Sequence, residues 1–351
     1  MKILIYTDLQ ATEGSDRCRH DPSLPLQRYR VKRCYKELLR IATEQQCTHL
    51  CDLGDTTDDR TFIYRATLDV VTEGLSNLSK ACPGFIKLTG NHEQLLKDGR
   101  ISAEGMFKPY FDHVGNGLVK TDKCAFVYAS FTEDYQLLNT GLSGTADLIR
   151  KTDPKLKLVL LAHGDVNGAR YASGETCSEG ISLATLDKFD LSFLGHVHIH
   201  QCLIKGKSWF VGSPFQQDFG EANQPKQVAI FNTDNMSVQF IPMTGFPEYR
   251  TLSFKDFLET ANLDEEHRYW VQIASIEETE QFYAHPLSEL GEAKLTYSEK
   301  RKPVEGSSGE FIDDPKQLLE RFVRERPLIG LPEELSQSEI VDLAMSFVGG
   351  D

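Results

Sequence analysis

Five short stretches, each closing an apolar run, carry side chains that can hold metal ions. They are TDLQ (Asp8, Gln10), GDTTDD (Asp55, with Asp58 and Asp59 close behind), GNHE (Asn91, His92, Glu93), AHGD (His163) and GHVH (His196, His198). Two divalent cations about 3.5–4 Å apart need a bridging carboxylate, terminal nitrogen and oxygen ligands, and a water they can acidify. Asp55 suits the bridge, since one carboxylate can offer an oxygen to each ion. Asn91 offers a neutral carbonyl oxygen, and the imidazoles of His163, His196 and His198 suit Mn, Fe, Zn or Ni. In an extended GHVH, side chains two apart point the same way. Taken singly each motif has a plainer reading: Asp55 as a turn or cap residue, His163 as a satisfied core histidine. Their succession in one chain is what points to a metal site. His49, His113, His267 and His285 read as structural, and His200 as a neighbour of the site or a surface residue, not a ligand.

Elements that would position these residues are visible as apolar runs ending in polar, Gly-containing turns: Ile3–Tyr6, His49–Leu53, Phe85–Leu88, Leu156–Ala162 and Leu191–Leu194. Helical periodicity over Arg28–Ala42 and Phe62–Leu78 separates the early ones, the pattern of βαβ units around a parallel sheet. Ligands gather in the crevice outside the carboxyl ends of such strands. A later group, Ala125–Ser130, Ser208–Val211, Gln227–Phe231 and Ser237–Ile241, predicts a second, more antiparallel sheet. After residue 245 the text changes. Residues 246–302 read as a small α/β module with strands at Tyr249–Phe254 and Tyr269–Ile273. Residues 303–314 read as a flexible polar linker, and 315–351 as two short amphipathic helices.

The 351 residues suffice for one large domain and a smaller one. No apolar run approaches the ~20 residues of a membrane span, and no leader pattern opens the chain, so a cytoplasmic protein is expected. The eight cysteines are scattered without zinc-site spacing and read as buried thiols. Net charge is −14, which argues against a nucleic-acid partner until its distribution is considered. From Phe246 onward there are 23 acidic and 11 basic residues, leaving 29 and 27 in the first 245. The acidity belongs to the C-terminal part.

The order Asp-x-x, GD, GNHE, H-G, GHxH over residues 1–245 resembles the calcineurin-like metallophosphoesterase superfamily. The resemblance implies an α/β fold, a four-layer α/β/β/α sandwich with two metal ions, most often Mn2+ with Mg2+ as the alternative, at the top of its central sheets. It implies that Asp8, Asp55 and His198 hold one ion with Gln10 at a position where the family places histidine. Asp55, Asn91, His163 and His196 would hold the other. His92 would contact the scissile phosphate and protonate or stabilise the leaving oxygen, with Glu93 orienting it. Gln10 is the one departure, and a neutral amide is a poorer donor than imidazole, so the ion on the Asp8 side is expected to bind more weakly.

Trp209–Asp234, with its Gly-Ser-Pro turn and Phe-Gly-Glu, resembles the segment after GHxH in DNA double-strand-break nucleases of the SbcD type, and the compact tail is similar to bacteriophage versions. That resemblance implies a DNA nuclease subunit, exonucleolytic 3′→5′ and endonucleolytic, hydrolysing phosphodiesters with a hydroxide activated by two metals. It implies a capping module over the DNA, a homodimer within a heterotetramer, and docking on an SbcC-type coiled-coil ATPase through tail residues such as Leu318, Leu319, Phe322, Ile340 and Met345. The basic stretch with Arg28, Arg30, Lys32 and Arg33, preceded by Arg17 and Arg19, is either a DNA-phosphate contact or a solvated helix face. Two other functions stay open: a phosphatase or cyclic-nucleotide phosphodiesterase of the same fold, and a degenerate DNA-binding scaffold.

Overall fold

The computed structural model describes residues 1–14, 23–96, 101–259, 267–285, 288 and 291–295. Met1–Thr296 forms one compact unit. The predicted linker, the tail helices and Leu318, Leu319, Phe322, Ile340 and Met345 lie outside the described residues, as do Arg17 and Arg19.

The first part of the chain alternates strand and helix: β1 (Lys2–Tyr6), α1 (Leu26–Glu44), β2 (His49–Asp52), α2 (Arg65–Ala81), β3 (Gly84–Lys87), α3 (Glu104–Phe107) and β4 (Phe111–Val114). Then follow β5 (Gly117–Lys120), β6 (Cys124–Ala129), α4 (Tyr135–Thr152), β7 (Lys157–His163), α5 (Leu183–Asp187), β8 (Leu191–Gly195), β9 (Gln201–Ile204), β10 (Ser208–Phe210), β11 (Gln227–Asn232) and β12 (Ser237–Pro242). The module closes the unit with β13 (Tyr249–Ser253), α6 (Phe254–Glu259), β14 (Arg268–Ile273), α7 (Ile276–Ala284) and β15 (Gly291–Leu295).

Two six-stranded sheets, β12-β11-β1-β2-β3-β4 and β5-β6-β7-β8-β10-β9, pack face to face. The period of two in a strand sorts β1 cleanly. Ile3 and Ile5 face the second sheet, where they meet Val159, Leu161 and Phe193. Leu4 and Tyr6 face outward onto Val31, Leu38, Val71 and Leu75 of α1 and α2. On the far side, Leu158, Leu160 and Ala162 of β7 meet Leu142, Ala146 and Ile149 of α4. Helix, sheet, sheet, helix is the four-layer order expected. A strand covered on both faces must be apolar throughout, which is why β1 and β7 read as continuous hydrophobic runs. Among the described residues no helix is long and apolar enough to cross a membrane.

Strand membership departs from the sequence expectation. Gln227–Phe231 and Ser237–Ile241 do not build the second sheet; β11 joins the first, antiparallel to β1, and β12 extends it. β7 and β8 belong to the second sheet, where β6, β7, β8 and β10 run parallel. The reason lies in α4, whose buried face is Leu142, Ala146 and Ile149 and whose exposed Gly141 and Gly144 lower its helical signal in the sequence. That helix makes β6-α4-β7 a parallel crossover, so the second sheet is seeded by β6 and collects the strands after it. The module's β13-β14-β15 form a separate, wholly parallel sheet.

Candidate metal centre

β1, β2, β3, β7 and β8 all deliver their following loops to one edge of the sandwich, and there the chain adopts unusual backbone. Asp8 (φ 51), Gln10 (φ 45), Asp55 (φ 53) and His196 (φ 97) all sit at positive φ without being glycine. Such conformations cost of order 1–3 kcal/mol each and persist where the surroundings over-determine them, most often at functional sites. Backbone bonds provide that determination here: Asp8 N–H donates to Gly54 O (2.9 Å) and Gln10 N–H to Asp55 O (2.8 Å), zipping the TDLQ and GDTTDD loops together. Gly54 has φ +112, and a Cβ there would stand 2.5 Å from His163 Nδ1. Only glycine lets this turn pass the imidazole so closely.

The structure brings Asp55, Asn91, His163 and His196 together. Asp55, His163 and His196 place ligand atoms within 4.8 Å of one another, the sole such cluster of acidic, histidine and cysteine side chains among the described residues. Asn91 Oδ1 lies 3.3 Å from His163 Nε2 and 2.9 Å from His196 Nδ1. His163 is wholly buried and its Nδ1 bonds Leu53 O at 2.7 Å, which turns Nε2 toward Asp55 Oδ2 (3.3 Å). Burial favours the neutral forms of both, yet their attraction outweighs it, lowering Asp55 and raising His163 to about 9. Two imidazoles, a carboxylate and an amide oxygen form a donor set suited to a divalent transition metal. A cation there would displace the proton that His163 otherwise shares with Asp55.

The other predicted ligands are not gathered in the same way. Asp8 is buried at the same edge, but its two carboxylate oxygens accept the His196 N–H at 3.2 and 3.0 Å. Gln10 faces a cleft of about 320 Å³ that it lines with Thr12, Gln27, Asp58, Gln217 and Tyr249. His198 turns its Nδ1 to Glu221 Oε1 at 2.7 Å. Burial pushes the His198 pKa down, but the Glu221 bond and the nearby Asp8 charge leave it raised.

His92 sits beside the cluster, its N–H donating to Asp55 Oδ1 (2.9 Å). Its partner is not Glu93. The ring Nδ1 meets Asp58 Oδ1 at 3.0 Å and Asp58 O at 2.7 Å, and this contact raises the ring pKa to about 9. Glu93 points the other way, fully buried, to Lys87 Nζ at 2.8 Å. It also accepts from Thr56 N–H (2.9 Å) and Gly90 N–H (3.0 Å). Lys87 lies 3.6 Å from Asp52 as well. Burial alone would lower the Lys87 pKa, but the two carboxylates raise it and keep the ammonium charged. Glu93 therefore holds the loop and does not orient the imidazole. Asp58 was visible in the sequence as a carboxylate close to Asp55; Lys87 and Glu221, in a strand and a Phe-Gly-Glu turn, gave no sign of their role.

The basic stretch is divided by α1. Arg30 is buried, 1% exposed, donating to Pro247 O (3.0 Å) and Tyr249 Oη (3.1 Å) with its guanidinium 4.6 Å over the Tyr249 ring. It cannot meet a DNA phosphate. Arg28 is paired with Glu13, and Arg33 lies over Phe246. Lys32 alone of the four is exposed.

No protein-family model and no curated protein sequence matches this chain. Solved structures similar to it include a dimetal phosphatase from Danio rerio, 12% identical, covering 70% of this chain and 99% of that one with a TM-score of 0.42. An archaeal phosphodiesterase is 13% identical over 69% of this chain and 99% of its own, TM-score 0.35. The calcineurin-like phosphoesterase YfkN from Bacillus subtilis is 15% identical over 69% and 88%, TM-score 0.34. These likenesses are distant; the site's own residues carry the functional conclusion.

Proposed function

We propose that this chain is a metal-dependent phosphoesterase that hydrolyses phosphodiesters, with DNA as substrate. The observation that carries it is the convergence of Asp55, Asn91, His163 and His196 beside the partly exposed His92 ring. Divalent ions held there, Mn2+ foremost, would supply Lewis acidity toward the phosphoryl oxygens and a more acidic water. Asp55, Asn91, His163 and His196 would hold one ion, and Asp8, Asp55 and His198, with Gln10 at the altered position, would hold a second. Asp58 occupies His92 Nδ1, so the ring's other nitrogen is the one turned to a substrate. From there His92 stabilises the charge on a phosphate or gives a proton to the leaving oxygen.

DNA as the substrate draws on the Trp209–Asp234 resemblance. A small phosphodiester or phosphomonoester is the second reading, favoured by the modest cleft that Tyr249 of the module helps to line. Incubating the chain with Mn2+ and either labelled duplex DNA or a chromogenic phosphodiester separates them. Faster turnover of DNA supports the nuclease, faster turnover of the small ester supports the second reading, and inertness toward both leaves only a scaffold. Within the nuclease reading, a homodimer joins an SbcC-type ATPase through residues 315–351. Deleting that segment should abolish co-elution with the ATPase while sparing Mn2+-dependent cleavage; retained association would refute the docking role.

A further inference from the structure

The Phe-Gly-Glu turn holds a carboxylate that the proposed chemistry does not use. Asp218 starts the turn by accepting the Gly220 N–H at 2.7 Å, and Glu221 ends it with its side chain 2% exposed. One oxygen, Oε1, faces His198 Nδ1 at 2.7 Å. The other, Oε2, accepts from Ser213 Oγ at 3.1 Å, from Gln217 N–H at 3.4 Å and from the buried Lys226 ammonium. Lys226 Nζ also donates to His198 O (2.9 Å) and to Ser213 Oγ (2.8 Å). Thus the imidazole and its own backbone carbonyl are gripped by one closed network.

A carboxylate facing Nδ1 requires the proton there, which leaves the lone pair of a neutral ring on Nε2. The network also fixes the ring's rotation, because Glu221 has no freedom of its own: His198, Ser213, Lys226 and Gln217 all bond it. We propose that Glu221 is the positioning residue of His198, locking the Nδ1–H tautomer so that Nε2 is the nitrogen offered to a cation, with Lys226 neutralising the buried carboxylate. Carboxylate partners of this kind orient metal-binding imidazoles and change metal affinity by about 10–100-fold when removed. With Gln10 in place of an imidazole at the altered position, His198 is the imidazole among the described residues that the second ligand set retains, so its tautomer sets which ring nitrogen a cation there would meet. The consequence for metal binding rests on the phosphoesterase reading; the tautomer does not.

Two measurements on the full chain test this. Long-range 1H–15N correlation on the 15N-histidine-labelled, metal-free protein, at a pH where the ring is neutral, should show His198 protonated at Nδ1. Protonation at Nε2, or averaging between the two, would overturn the assignment without any variant. For the metal arm, Mn2+ affinity is measured by calorimetry in a Lys226→Met background, so that no ammonium is left buried and unpaired. There Glu221→Ala should weaken Mn2+ binding about 10–100-fold, while Glu221→Gln, which keeps an acceptor oxygen for Nδ1, should recover most of it. Equal affinities in the two would also overturn it. A wild-type chain that binds no Mn2+ would instead count against the phosphoesterase reading, and the tautomer would still decide the role of Glu221.

Discussion

Two side chains set what this site can do at the scale of single residues. His92 is held at Nδ1 by Asp58, so the ring is fixed and its pKa raised while part of it remains exposed. Replacing it with asparagine should lower kcat by about 10²–10⁴-fold, the usual worth of a proton donor, with the Mn2+ requirement unchanged. A parallel rise in the Mn2+ requirement would make His92 a ligand and not a donor. Gln10 sits at φ 45 with its N–H on Asp55 O, so its backbone is placed where a ligand's would be. Gln10→His should therefore lower the Mn2+ concentration giving half-maximal cleavage. An unchanged titration would show that position 10 is no part of the metal site.

Between elements, the loops after β2 and β3 are joined by a buried charge cluster, and that join places Asp55 next to Asn91. Lys87 is shared by Glu93 at 2.8 Å and Asp52 at 3.6 Å. Thr56 donates its N–H to Glu93 and its hydroxyl to Asp52. A lone buried carboxylate is costly, so removing the one ammonium shared by two of them should be felt throughout. Lys87→Met should destabilise the chain by about 3–5 kcal/mol, read from the denaturant midpoint. A loss below about 1 kcal/mol would mean that Glu93 is accommodated in its protonated form and that the cluster does not organise the loops.

Over the whole unit, the module is latched to the core through the segment that also serves the site. Phe219 stacks on Trp270 with centroids 4.1 Å apart, Tyr249 N–H donates to Gln216 Oε1 at 2.5 Å, and Asn223 N–H donates to Tyr249 O at 3.1 Å. Arg30 adds its bonds to Pro247 and Tyr249. Its role is therefore adhesion of the module. Arg30→Leu should cost roughly 1–3 kcal/mol of stability through lost charged hydrogen bonds and the ring contact, and leave the salt dependence of DNA binding unaltered. A flatter salt slope, alongside intact folding, would return Arg30 to the phosphate-binding set.

What the sequence by itself determined was the alternation of strands with helices and the identity of the strand-end residues; the layer order came only with the family resemblance. The first two are local: period-two and period-3.6 patterns report burial, and a carboxylate, amide or imidazole closing an apolar run reports a crevice at a strand's end. α4 was obscured by its glycines, and with it the sheet to which β7, β8, β11 and β12 belong. Tertiary structure alone decided which donors meet and what holds them. Asp58 supports His92 from 34 residues away, Glu221 supports His198 from 23, and Arg30 binds Tyr249 from 219. Glu93, adjacent to His92 in sequence, turns instead to Lys87, because a 3-10 turn at Asn91–Glu93 points neighbouring side chains in different directions. Chain neighbours are not spatial neighbours in such a turn, and only the packing of the two sheets tells which partner each buried charge finds.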